Sequence, residues 1–279
     1  MVILITGCRS GIGLSIAMAA ANKGYIVYAG LRDLSTKDNL ISQSEGLDII
    51  PVQLDVTKNA EREIVIQQII DEQGRLDILI NNAGIGIGGF LEEITEEEMR
   101  RSFDINFFGV WSLSKECLPL LRKSKGTLVM ISSLSGIMAL PGLGTYCASK
   151  FALEGMTETW RHELKPFEID VISIQPGAYK TDISGPNRKI SVNQGTVHPL
   201  YTIMADNMQT WYDKNAVEKA YPPSHLAMNL MNILAKKNPK LRYAIGPSTG
   251  LRRLILSLFP FSLIEKYFYR TLTVHRGDH

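Results

Sequence analysis

In the stretch YCASK, residues 146–150, a phenol and an ammonium stand four positions apart with small residues between them. On a helix that spacing puts Tyr146 and Lys150 on one face. A free phenol ionises near about pH 10 and is a poor base at neutral pH. A cation within a few ångströms favours the phenolate, so the pair suits acid–base work on a hydroxyl or carbonyl. Ser133, in ISSLSG (131–136), precedes Tyr146 by thirteen residues and offers a hydroxyl to orient a substrate oxygen. Asn106, in FDINFFG, is an amide among apolar residues, where it needs a partner or a bound water. Such a water would link Lys150 to solvent. Singly, each has an ordinary reading, such as a surface Tyr–Lys pair or an exposed asparagine.

Bringing these groups together requires a frame. Runs of β-branched and apolar residues at 2–6, 26–30, 48–54, 77–81, 127–132 and 170–175 read as strands, and 241–247 could supply one more. Their near-continuous hydrophobicity suits strands covered on both faces. Helical patterns lie between them, near 11–23, 59–73, 95–123 and 146–165, and Thr95 with Glu98 has capping-box spacing. The alternation predicts a doubly wound, Rossmann-type α/β fold: a parallel sheet with helices on both faces. Without repeats or a convincing linker, residues 1–279 read as a single domain. A substrate-loop insertion is expected at about 178–215, and an apolar C-terminal segment at 251–279.

The other end of such a site would hold phosphate. TGCRSGIG (6–13) follows the first strand and opens the first helix, with glycines at Gly7, Gly11 and Gly13. Gly7 permits a tight turn, and Gly11 and Gly13 let backbone N–H groups approach a pyrophosphate. Arg9, Ser10 and Ile12 share the loop. After the second strand, AGLRD places Arg32 where an acidic residue would hold an NAD ribose. Arg9 and Arg32 together suit a 2′-phosphate, hence NADP; nearby Asp33 keeps NAD open. Asp55 could hold the adenine amino group with Val56 beside the ring, and Asn82, Ala83 and Gly84 of NNAG would wall the cofactor. Lys150 would reach the nicotinamide ribose, and an oxidised nicotinamide would add a second positive field at Tyr146.

In order and spacing, TGCRSGIG, NNAG, INFFG, ISSLSG, YCASK and IQPGAYKTD resemble the motifs of the classical short-chain dehydrogenase/reductase family, over at least residues 1–185. LITGCRSGIG, VYAGLRDL and QLDVT are most similar to its NADP-preferring 17β-hydroxysteroid and retinol dehydrogenase branch. The resemblance implies Ser133, Tyr146 and Lys150 with Asn106 as the catalytic set, and the three glycines on the pyrophosphate. It also implies Pro176, Gly177 and Thr181 beside the nicotinamide. The expected activity is hydride transfer between nicotinamide and an apolar (steroid-, retinoid- or lipid-like) alcohol or ketone, with Tyr146 as acid/base. The alternative is a catalytically silent NADP(H)-sensing binding protein of the same fold. A homodimer or homotetramer, through the 95–123 and 146–165 helices, is implied by analogy.

Composition narrows the remainder. A net charge of +2 without a basic run gives no reason to expect nucleic acid. Cys8, Cys117 and Cys147 are odd in number and far apart, which suggests reduced thiols in the cytoplasm; no metal site is expected. MVILITG is too short and lacks a basic flank for a secretory signal. No run reaches the length of a spanning helix. Leu200, Tyr201, Met204, Met208, Trp211 and Tyr212 offer an apolar substrate wall, with plain packing as the competing reading. His198 and His225 could bind a polar substrate end, against solvated or capping roles. The tail from 251 to 270 is expected to pack on the pocket or another subunit, with membrane-surface contact second.

Overall fold

The computed structural model describes residues 1–181, 189–247 and 249–273. Residues 182–188 of the expected insertion and 274–279 of the C-terminal segment lie outside the described residues. The chain runs β1 (Val2–Thr6), α1 (Gly11–Ala21), β2 (Ile26–Leu31), α2 (Asp38–Gln43), β3 (Ile49–Gln53), α3 (Asn59–Gln73) and β4 (Ile78–Asn81), then a two-residue strand β5 (Ile87–Gly88). α4 (Glu96–Phe103) passes through a wide π turn (Asp104–Phe108) into α5 (Gly109–Ser124), followed by β6 (Thr127–Ile131), α6 (Gly144–Glu163) and β7 (Asp170–Pro176). Then come β8 (Lys189–Ile190), α7 (Pro199–Tyr212), α8 (Pro223–Leu234), β9 (Arg242–Ile245), α9 (Thr249–Leu258) and α10 (Phe261–Thr273).

Seven strands form one sheet in the order β3-β2-β1-β4-β6-β7-β9. Every pairing is parallel; Ile3, for example, is in register with Val27 on one side and Ile78 on the other. Winding reverses at β1/β4, and this opens a crevice at the strands' carboxyl ends. The strands are apolar throughout because alternate residues feed two cores. Ile3, Ile5, Ile78 and Ile80 point to the side of α1 and α8. Leu4, Leu79, Leu128 and Val171 point to that of α3, α5 and α6.

The expected helix over 95–123 is interrupted. α4 begins with the anticipated capping box, in which Thr95 and Glu98 bond each other's backbone N–H. Directly after Phe103 the hydrogen bonding widens, with Gly109 N–H donating to the Asp104 carbonyl. Such single wide turns accommodate one extra residue and re-aim side chains, often at functional sites. Here the re-aimed residue is Asn106. The sequence reading passes over α8, which opens on Pro222-Pro223 without a capping side chain.

Candidate active site

Tyr146 and Lys150 lie on the first turns of α6, directly after the loop from β6. Lys150 is buried; its Nζ donates to the Ile131 carbonyl at the end of β6 (2.9 Å) and lies 5.7 Å from the centroid of the Tyr146 ring. Ser133, two residues beyond Ile131, is extended and hydrogen-bonded to the Tyr146 hydroxyl. It also accepts the Ser135 N–H at 3.0 Å, which fixes its side chain. Asn106 is fully buried, and both ends of its amide are spent on one backbone residue. Its Oδ1 accepts the Ile85 N–H and its Nδ2 donates to the Ile85 carbonyl, each at 2.9 Å. Nδ2 also donates to the Ser149 hydroxyl (3.0 Å), which in turn donates to the Tyr146 carbonyl (2.8 Å). The four expected catalytic residues thus form one connected group. Its amide hydrogens being taken by the protein, Asn106 has Oδ1 as its remaining side-chain site for water.

The electrostatics differ from the expectation that Lys150 brings the phenol down. Burial dominates and pushes Tyr146 up to about 12, with repulsion from Tyr212 acting the same way and the Ser133 hydrogen bond acting against it. The physical reason is that Lys150 is aimed at a carbonyl, not at the hydroxyl, and is itself weakened as a cation. Burial pulls it down to about 8, while Glu154 one turn on acts to raise it. Packing alone therefore holds a protonated phenol beside a partly tamed ammonium.

At the phosphate end, Gly7 turns with φ +73° and carries the chain into α1. A Cβ on Gly13 would stand 2.2 Å from the Gly7 carbonyl oxygen, so only glycine lets the helix start so close to the turn. Ser10 is the residue before the first helical turn, and Ile12 packs partly against the α1 core. NNAG is stitched to this loop. The Thr6 hydroxyl accepts the N–H groups of Asn82 (2.9 Å) and Ala83 (2.8 Å), and the Asn82 amide donates to the carbonyls of Thr6 and Gly7. Gly84 then faces the reacting group: a Cβ there would lie 3.2 Å from Asn106 Oδ1 and 3.7 Å from Lys150 Nζ. Thr181, following the Pro176–Gly177 turn, stands against Gly11, with Cγ2 3.3 Å from where a Cβ would be. The glycine turn at the N-terminal end of α1 and the buried Lys150 are the donor set that an elongated dinucleotide would use.

Arg9 and Arg32 are exposed at the rim, and the Arg9 carbonyl accepts from Asn39 of α2. Asp33 is engaged locally: its Oδ1 takes the hydroxyl (2.7 Å) and N–H (3.0 Å) of Ser35, which hold the carboxyl below the ordinary carboxylate range. Asp55 similarly takes Thr57 N–H and hydroxyl on Oδ1, and Val56 is buried against the start of α5. A cavity of about 220 Å³ opens between α7 and the loop before α6, lined by Gly88, Phe90, Leu143, Met208, Trp211 and Tyr212 among others; Tyr212 of this wall also acts on Tyr146. Three of the six expected wall residues are thus in it. Tyr201 instead stacks on Phe90 with centroids 4.7 Å apart and donates to Glu92. His198 caps α7 by accepting the Leu200 N–H, and His225 is paired with the Tyr179 hydroxyl. The three cysteines are buried free thiols, all pushed up by burial and poorly suited to nucleophilic work. Among the described residues no group of His, Cys, Asp or Glu is placed to hold a metal ion.

Sequence reasoning missed Thr6, Ser149 and Glu154. Thr6 and Ser149 sit inside recognised motifs, so their polar side chains at buried positions were the available signal. Glu154 carried the signal of helical spacing from Lys150, one turn on.

Comparisons with known proteins bear on the family and the fold. The family model described as short chain dehydrogenase matches residues 1–191. A 3-ketodihydrosphingosine reductase of Bacteroides thetaiotaomicron is 38% identical over 247 residues, covering 88% of each chain. Human 17-beta-hydroxysteroid dehydrogenase type 1 is 33% identical, covering 87% of this chain and 76% of its own. A solved short-chain dehydrogenase from Streptomyces avermitilis superposes with a TM-score of 0.79 at 30% identity, covering 95% of this chain and 97% of its own.

Proposed function

The chain belongs to the short-chain dehydrogenase family and is an oxidoreductase, and from that premise we propose that it is an NADP(H)-dependent enzyme interconverting an apolar alcohol and ketone, with Tyr146 as the acid/base. The observation that carries this is the joining of Ser133, Tyr146, Lys150 and Asn106 through Ile131, Ile85 and Ser149 at the crevice edge. A bound nicotinamide dinucleotide would supply or accept the hydride. Gly7, Arg9, Ser10, Gly11, Ile12 and Gly13 would hold its pyrophosphate end; Asn82, Ala83, Gly84, Pro176, Gly177 and Thr181 would flank the reacting half. Asp55 and Val56 are assigned to the adenine, and Lys150 to the ribose hydroxyls. Ser133 orients the substrate oxygen, and Tyr146 gives that oxygen a proton in reduction or takes it in oxidation. A phenol held protonated at neutral pH is ready for the donor role.

The wall of Phe90, Leu143, Met208 and Trp211 supports a lipid-, steroid- or retinoid-like substrate. The relatives' named substrates, a sphingoid ketone and a steroid, are of that kind. Exposed Phe108, Trp111 and Phe151, on the π turn, α5 and α6, support a homo-oligomer through those helices. The test is Tyr146→Phe, assayed by NADPH consumption with apolar ketones and by cofactor fluorescence. Turnover is expected to vanish with NADPH binding kept. Full activity in the variant overturns the reading. Tight NADPH binding by the wild type, without turnover on any alcohol or carbonyl, would instead favour a silent binding protein.

A further inference from the structure

The last two helices leave an apolar corner uncovered. Leu251, Leu254 and Leu258 are spaced i, i+3, i+7 along α9, a single stripe of a helix, and all three face solvent, Leu258 with 68% of its surface. The chain then turns through exposed Phe259 and Pro260 into Phe261, which is 74% exposed. An apolar helix stripe that runs on into two exposed phenylalanines marks an interaction site, whereas single exposed leucines need no explanation. The corner is not loose. α10 is fastened to α7 from its other side: the Phe268 ring meets Trp211 at 5.7 Å, the Trp211 indole donates to the Tyr267 hydroxyl (2.6 Å), and Asn207 donates to the Leu272 carbonyl (3.0 Å). Away from α7, α10 exposes Leu263 and Tyr269 together with Lys266 and Arg270.

Charge decides the partner. Residues 249–273 carry Arg252, Arg253, Lys266 and Arg270 against Glu265 alone, while the whole chain is only +2. We propose that this corner docks on an anionic lipid bilayer surface, with Phe259 and Phe261 entering the acyl boundary and Lys266 and Arg270 meeting headgroup phosphates. Apolar residues at the tip with cations behind them is the pattern of an interfacial anchor, in which the cations add electrostatic attraction to apolar burial. A second copy of the chain is a poorer occupant, because a two-fold contact through this corner brings two segments of the same positive charge together. Crossing the bilayer is not at issue, since among the described residues no helix is long and apolar enough. Docking would bring α7, whose Met208, Trp211 and Tyr212 line the cavity, up to the lipid. The inference goes beyond the proposed reaction and stands independently of it.

The test is flotation of the purified chain with vesicles of phosphatidylcholine alone or mixed with phosphatidylglycerol. The protein is expected to float with the anionic vesicles and to be partly released by salt. Phe259→Ser/Phe261→Ser should weaken binding about tenfold or more, and Lys266→Glu/Arg270→Glu should do so on anionic vesicles. All four side chains are exposed, so both variants should keep the wild-type circular dichroism and melting temperature. Binding unchanged in both variants, or wild type that stays with neither vesicle, overturns the proposal. So does a wild-type oligomer that Phe259→Ser/Phe261→Ser converts to a smaller species without any lipid effect, which would make the corner a subunit contact.

Discussion

Ser133 and Lys150 each leave a pH signature, the first through the Tyr146 hydroxyl and the second through stability. The Ser133 hydrogen bond favours the phenolate against the dominant effect of burial. Ser133→Ala should therefore push the phenol higher still. Alcohol oxidation needs the base form, so the rising limb of its kcat/KM profile should move to higher pH, while reduction stays flat through neutrality. An unmoved limb would detach Ser133 from this role. Lys150 affects stability as well. Its folded pKa, about 8, lies below its ordinary value of 10.5. Below pH 8 both folded and unfolded chains hold the proton, and the folded one bears the cost of burying it. Between 8 and 10.5 only the unfolded chain holds it, so stability rises with pH. The difference corresponds to about 3 kcal/mol. Removing the charge in Lys150→Met relieves that cost but orphans the Ile131 carbonyl, at about 1–2 kcal/mol. The variant should be inactive yet more stable than wild type by about 1–2 kcal/mol at pH 7, with the gain gone near pH 10. Urea titrations at the two pH values check it; a less stable variant at pH 7 would show that the buried cation is not a burden.

Between elements, the main tie behind the site is Glu154 of α6. Burial pushes its carboxyl up, but bonds from Ser173 of β7 (2.5 Å) and Arg242 of β9 (2.8 Å) outweigh that and hold it below the ordinary range. Arg242 also pairs with Glu158, one turn further along α6. Arg242→Met leaves a buried carboxylate without its cation and should cost roughly 3 kcal/mol at pH 7. A depressed carboxyl contributes its stability above the unfolded pKa, about 4.3, and loses it as pH falls through the folded value. The acid limb of the stability curve should thus be shallower in the variant, as thermal melts from pH 7 down to 3 would show. Parallel limbs would place the acid sensitivity elsewhere. Beyond the helical spacing of Glu154 from Lys150, this tie was not visible in the sequence, because its members are brought together by sheet order, with Arg242 88 residues from Glu154. The π turn was hidden for the same reason: what re-aims Asn106 is Ile85, 21 residues away, outside any helical window. The strands were legible because a strand covered on both faces is apolar at every position, a signal that needs no partner.

Across the whole molecule, the glycine turn after β1 was legible in the sequence and the cavity wall only in part, and a physical asymmetry explains why. A tight strand-to-helix turn needs glycines, because a Cβ on Gly13 would stand 2.2 Å from the Gly7 carbonyl oxygen, closer than any other residue can tolerate. A cavity wall needs only apolar bulk, so Tyr201 could be read as wall when it packs on Phe90 beside the opening. Cofactor choice lies between these extremes. Asp33 commits its Oδ1 to Ser35, and exposed Arg32 stands beside it at the tip of β2. A guanidinium on a 2′-phosphate makes charge-assisted hydrogen bonds whose loss costs about 1.5–3 kcal/mol. Arg32→Asp should accordingly raise KM for NADPH by roughly 10–100-fold and leave KM for NADH unchanged or improved. Because Arg32 stands at β2 and the reacting group at β6 and α6, kcat at saturating cofactor should hold within about twofold, as separated sites behave additively. Steady-state kinetics with both cofactors decide it. An unchanged NADPH/NADH ratio would move the specificity to Arg9; a collapse of kcat would mean that the two ends of the crevice are coupled through the sheet.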